Sequence, residues 1–154
     1  MGMGEKQHAV DWLRIVSFGF FLMLLGVIWA GTPKLTDEAL KFFQDFDLVN
    51  LTENIVLPAP VHVQSHTTVY IAAFHFCLAF GIFQAVILVV RFLLHEPLNR
   101  KADTFSSVGF WLTISIFLGM LTDGAVGWFG FIGGLIISVG VAISAGSILK
   151  LLWR

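Results

Sequence analysis

The residues able to do chemistry are few and widely spaced. His75 and Cys77 stand two apart in "IAAFHFCLAFG" (71–81), inside a strongly apolar run. Two positions turn about 200° around a helix, so imidazole and thiol leave on opposite sides and form no local His–Cys unit. Cys77 is the only cysteine, which excludes an intrachain disulfide. His62 and His66 are four apart and would share one face of a helix beginning near Pro60. That spacing suits zinc or copper, but a site needs a third and usually a fourth ligand. Glu53, Asp123 and the acids between 37 and 47 are the candidates on the same side. No HExxH, CxxC or two-histidine–carboxylate pattern accompanies the pair. His62 and His66 are therefore expected to be interfacial polar residues and not a tight metal site. A transmembrane haem would need two axial ligands at matching depth, and His75 is the one histidine within an apolar run. There is no Gly-rich phosphate loop, Ser/His/Asp set or pair of carboxylates within an apolar run. No catalytic residue and no cofactor is expected.

The elements that would position these residues follow from composition. Of 154 residues, 57% are hydrophobic and 12% charged; a soluble domain carries about 25% charged residues. So little polar surface cannot cover a domain in water, which points to a membrane protein whose first partner is the lipid bilayer. A net charge of −1 with no basic block excludes nucleic acid as a partner. Four segments reach the roughly 20 apolar residues needed to cross a bilayer, at about 9–31, 67–94, 105–122 and 126–152. Trp12 and Trp29 bracket the first and would lie about 26 Å apart along a helix, matching two interfacial belts. Glu5, Asp11 and the context "IWAG" fit a cleaved leader poorly, so a retained helix is expected.

Lys6, Arg14, Arg91, Arg100, Lys101, Lys150 and Arg154 fall on one side of these spans, and only Lys34 and Lys41 on the other. This asymmetry predicts a multi-pass protein with both termini cytoplasmic. The 32–66 loop would then be external. Within it "TDEALKFFQDF" predicts an amphipathic helix, with Thr36 as N-cap, acids in the first turn and Ala39, Leu40, Phe43 and Phe46 on one side. An interfacial anchor is the expected role. Pro58 and Pro60 predict an extended approach to the second span, and Asn50-Leu51-Thr52 is a glycosylation sequon. The fold expected is thus all-α, a four-transmembrane-helix bundle with an external amphipathic helix between spans one and two.

Three features within the spans carry further expectations. Gly130, Gly134, Ser138, Ala142 and Gly146 recur every four residues, a row that lets two helix backbones approach closely, within the bundle or against a second copy. Thr68, Ala72, His75, Ala79, Ile82 and Val86 form one stripe of span two. Small neighbours above and below His75 predict that it points inward, opposite Gly133 and Gly134 and within reach of Ser115 or Ser138, with Phe76, Phe80 and Phe83 turned towards lipid. Gln84 lies on the opposite face and would meet lipid or a neighbouring protein. The function expected is a non-catalytic membrane component, either an oligomerising scaffold or a subunit of a larger complex, with a second copy or another membrane protein as partner. Two alternatives stand beside it. One is a small homo-oligomeric channel or transporter, whose acidic outer face would attract cations. The other is a membrane metal or haem enzyme subunit using His62, His66 or His75.

Overall fold

The computed structural model describes residues 12–153; residues 9–11 of the expected first span, together with Lys6 and Arg154, lie outside them. Four helices are long and apolar enough to cross a membrane: α1 (Trp12–Gly31), α3 (Thr67–Leu93), α4 (Leu98–Thr122) and α5 (Trp128–Leu152). Between α1 and α3 lie a short helix α2 (Leu35–Gln44), strands β1 (Phe46–Thr52) and β2 (Ile55–Pro60), and a 3-10 turn (Val63–His66). Helix α4 begins at Leu98, seven residues before the expected third span, so Arg100 and Lys101 are helical. A loop of four residues cannot separate α3 from α4 by much, and the polar run "LNRKADT" continues the helix beyond its apolar part.

The four long helices form an open row. The main contacts run α1–α3, α3–α4 and α4–α5, so α1 and α5 are the ends and no central core encloses all four. Short turns explain two of these three contacts. Gly124 has φ 72, and Ala125 N–H reaches back to Met120 O (2.8 Å) while Gly124 N–H reaches Leu121 O (3.2 Å). A residue that tolerates the left-handed region thus closes α4 and sets α5 antiparallel beside it. At the other turn, buried Arg91 pairs with Glu96, and Lys101 Nζ stands 4.8 Å from the Phe92 ring centroid. These contacts let the cations at this end of the row bury part of their length.

The small-residue row of α5 is used inside the chain. Gly134, Ser138 and Gly146 are buried, Ala142 is half-buried, and Gly130 is exposed. A Cβ on Gly134 would lie 2.2 Å from Cγ of Phe117, so α4 sits directly on this row. Gly146 is equally close to α4, but its nearest neighbour is the Oγ of Ser106, which can rotate aside. Gly146→Ala should therefore cost about 1 kcal/mol or less, measured as thermal stability in detergent. Ser138 and Ser115 donate to carbonyls of their own helices, Gly134 O and Leu112 O, both at 2.8 Å.

The inward face of α3 differs from the one expected, with only Ala72 of the expected stripe buried. Cys77, Phe80, Gly81, Gln84, Ile87 and Arg91 are buried, whereas His75, Ile82 and Val86 are exposed. Bulk decides the matter. Phe20 of α1 stacks on Phe83 with centroids 3.9 Å apart, Phe21 meets Phe76 and Phe80 edge-on at 5.1 and 5.5 Å, and Trp111 of α4 meets Phe80 at 5.0 Å. The phenylalanines expected towards lipid are the seam joining three helices. Gly81 belongs to the same face, where a Cβ would come within 2.8 Å of Leu112 Cδ2.

The 32–66 segment forms a cap over one end of the row. Helix α2 starts at Leu35 behind Lys34, which has φ 63 and gives no side-chain cap, so Thr36 is not the N-cap. Leu35 is buried and Ala39 and Phe42 half-buried, while Leu40 and Phe43 are exposed. The stretch expected to be merely extended pairs instead as an antiparallel hairpin, Phe46 opposite Pro60 and Leu48 opposite Pro58. A two-stranded sheet accepts these prolines because alternate residues of each strand direct their N–H away from the partner. Asn50 of the sequon is exposed on β1.

Candidate functional site

The cap brings His62, His66 and Asp45 together. Asp45 follows the last turn of α2, where its N–H closes the helix on Lys41 O (2.9 Å) and its carbonyl accepts from Val61 N–H (3.0 Å). Its carboxylate then takes three donors. His62 N–H lies 2.7 Å from Oδ2, His62 Nδ1 2.8 Å from Oδ1, and His66 Nε2 2.9 Å from Oδ2. One side chain thus ties the end of α2 to the end of the hairpin and to the turn that opens α3. The acid sits at a helix C-terminus, where the macrodipole disfavours it. Only a partner of the kind the histidines supply makes that placement favourable.

Those donors hold the Asp45 carboxyl well below the usual carboxylate range, chiefly through the His62 side chain, then the His62 backbone and His66. A carboxyl depressed on folding stabilises the fold above its unfolded pKa, about 3.9, and loses that contribution as pH falls further. The difference in cap proteolysis between wild type and Asp45→Ala should accordingly persist from neutral pH down to about pH 4 and narrow only in stronger acid.

The two imidazoles have different surroundings. His62 is largely exposed, with Nδ1 on the carboxylate and its Nε2 side outward. His66 is buried in an aromatic box: Phe42 stands edge-on at 5.4 Å and itself meets Tyr70 at 5.8 Å and Trp128 at 5.9 Å, while Phe46 closes on Trp128 at 5.4 Å. Because Nε2 of His66 donates to Asp45, its neutral form leaves Nδ1 as a bare acceptor, and that atom is buried with no hydrogen-bond partner among the described residues. A recess of about 290 Å³ opens beside the clasp, with Lys41, Gln44 and Ser65 on its rim. Glu38 and Lys41 form an exposed pair at 2.8 Å along α2, a contact worth little in water.

The arrangement is a carboxylate oriented by two imidazoles. Each ring commits the nitrogen facing Asp45 to a hydrogen bond, and the rings take different oxygens. Among the described residues no three His, Cys, Asp or Glu side chains converge in a way that could hold a metal ion. The Nδ1-tethered His62 resembles the base half of a hydrolytic dyad in chemistry, but no nucleophile is hydrogen-bonded to it among the described residues. Asp45 itself was legible only as one of several acids between 37 and 47.

His75 lies apart from the cap site, on a wedge of about 410 Å³ between the cap-side halves of α1 and α3. Ile28, Gly31 and Thr32 face Thr68, Ala72 and His75 across it. A neighbouring apolar cavity of about 270 Å³ lies on the other side of the same contact and shares Ile28 and Ala72. The aromatic seam therefore closes α1 on α3 towards one end, and the two helices part towards the other. His75 does not approach Ser115 or Ser138, whose hydroxyls are bonded locally, and Gln84 takes the buried position instead. Compared with protein-family models, curated proteins and solved structures, the chain matches none.

Proposed function

We propose that the chain is a non-catalytic, multi-pass membrane subunit with both termini in the cytoplasm and the cap outside. It associates sideways with a second copy or another membrane protein through the outward faces of α1 and α5. The observation that carries this reading is the slight attachment of α1, in whose most apolar stretch only 6% of the residues are buried. A helix held chiefly by one aromatic seam, with its outer face bare, gains packing when a neighbouring chain closes on that face, and in lipid such packing is the main drive to association. The far end of the row supports the same reading. Gly133 and Gly140 of α5 are seven residues apart, and a Cβ on either would meet nothing within 4 Å. They offer a backbone-close surface to a partner, opposite the row used against α4. The exposed Leu40 and Phe43 of α2 fit an interfacial anchor for the cap.

The test is the mass of the protein in lipid nanodiscs taken directly from its membrane. The expected result is a complex larger than one 17.0 kDa chain, either an integral multiple of that mass or a stoichiometric heteromer. A single chain per disc at native expression overturns the proposal.

A further inference from the structure

We propose that the wedge between α1 and α3 binds one lipid-soluble molecule whose compact head carries a hydroxyl or carbonyl oxygen, anchored by His75. The inference rests on the membrane-spanning part of the proposed function and is independent of assembly. In that setting His75 lies five residues beyond Tyr70 along α3, at a depth where hydrocarbon surrounds whatever the protein leaves open. The ring is exposed and makes no side-chain hydrogen bond among the described residues; its aromatic contact is with its sequence neighbour Phe74. An imidazole unpartnered at that depth is costly, and a polar group so placed is a functional-site indication by default.

The space in front of it has the form of a site. Its volume of about 410 Å³ falls within the range of small-molecule pockets, about 300–1,000 Å³. Thr68 lies seven residues before His75 on the same face of α3, about 10 Å further towards the cap, and Thr32 faces it from α1. The wedge therefore offers a donor–acceptor ring at its deep end, hydroxyls at its mouth and apolar walls between. Ala72 keeps the floor low, and Gly31 adds no side chain to it. A saturated acyl chain fits the walls and leaves His75 unpaired. A molecule with an oxygen-bearing head satisfies the ring while its tail joins the surrounding lipid. Alcohol-headed isoprenoids and quinones share this chemistry.

Two variants separate the site from its surroundings. Gly31→Leu fills the wedge without disturbing packing, because a Cβ there meets nothing within 4 Å. His75→Leu keeps the bulk and removes the hydrogen-bonding nitrogens. The full chain in nanodiscs is irradiated with a diazirine-bearing isoprenoid alcohol, and labelled peptides are mapped. Labelling should concentrate in residues 27–32 and 68–75, fall about tenfold in either variant, and leave the melting temperatures near wild type. Competition by an unlabelled isoprenoid alcohol or by a short-tailed quinone identifies which head is preferred; a head-free alkane should not compete. Labelling spread evenly over outward faces, equal labelling in Gly31→Leu, or full competition by the alkane overturns the site while leaving membrane insertion standing. Cross-links from 27–32 to a second chain in place of label would assign the wedge to a protein partner and also overturn it. Recovery of the protein in the aqueous fraction, with no label on any helix, would instead defeat the membrane reading.

Discussion

Replacing Gly134 with leucine is expected to destabilise the protein by about 2–3 kcal/mol, the cost of forcing bulk into a packed contact. A Cβ at this position lies 2.2, 2.3 and 2.7 Å from Cγ, Cδ1 and Cδ2 of Phe117. Those atoms are at the root of the ring and cannot step aside as a flexible tip would. α4 and α5 must separate or Phe117 must leave its place. Even Gly134→Ala should be costly. Gly127→Leu, at the start of α5 and away from the proposed partner surface, provides the control, because a Cβ there meets nothing within 4 Å. The two variants should differ sharply in melting temperature in detergent. Removing the clash with Phe117→Ala should recover part of the loss in Gly134→Leu, since contacting residues couple in double-mutant cycles. Equal melting of the Gly127 and Gly134 variants would mean that the small-residue row does not pack on α4.

The second large effect is expected at Asp45. Asp45→Ala removes the acceptor of all three donors from His62 and His66 and leaves the buried His66 ring without its partner. An unsatisfied buried polar group costs more than the bond itself contributed. The cap should open while the long helices persist, so amide exchange across 45–66 should accelerate about tenfold or more with little change in α3–α5. Asp45→Asn should be milder. Its one remaining carbonyl oxygen can serve His62 N–H and His66 Nε2, and the exposed His62 ring can change tautomer to accept from the amide. Exchange in 45–66 unchanged by Asp45→Ala would show that the hairpin and aromatic box hold the cap without the clasp.

Length and hydrophobicity made the four long apolar helices readable, because about 20 apolar residues in a row, the length that crossing a bilayer demands, stand out whatever the neighbours. The turn at Gly124 was equally legible from its glycine. Which face of α3 points inward was not. In water a buried face is apolar and an outer face polar, but in lipid both are apolar and that signal vanishes. His75, flanked by alanines, therefore suggested an inward pocket, while the decisive contacts were made by Phe76, Phe80 and Phe83 against α1 and Trp111. Prolines 58 and 60 predicted an extended segment but named no partner for it; the pairing with 46–52 became visible only in the hairpin, which accepts prolines that a central strand would not. His62 and His66 do work together, though not as neighbours on a helix face: both reach one carboxylate seventeen and twenty-one residues earlier in the chain. The available signal was Asp45 itself, an acid closing a helix against its dipole.

The most direct test of the central claim, that the open row is completed by another chain in the membrane, is photo-cross-linking along the outward face of α5. Cys77 is buried and can be replaced by serine to give a background without native thiol. Single cysteines are then placed in turn from Ile132 to Ile143, where Ile136 and Ile143 are strongly exposed, coupled to a thiol-reactive benzophenone and irradiated in intact membranes. The account predicts inter-chain adducts that rise and fall with helical periodicity, strongest near Gly133, Ile136, Gly140 and Ile143 and absent at the buried Gly134 and Ser138. A matching scan of α1 that also yields no adduct, or adducts without helical periodicity on both end helices, would contradict it.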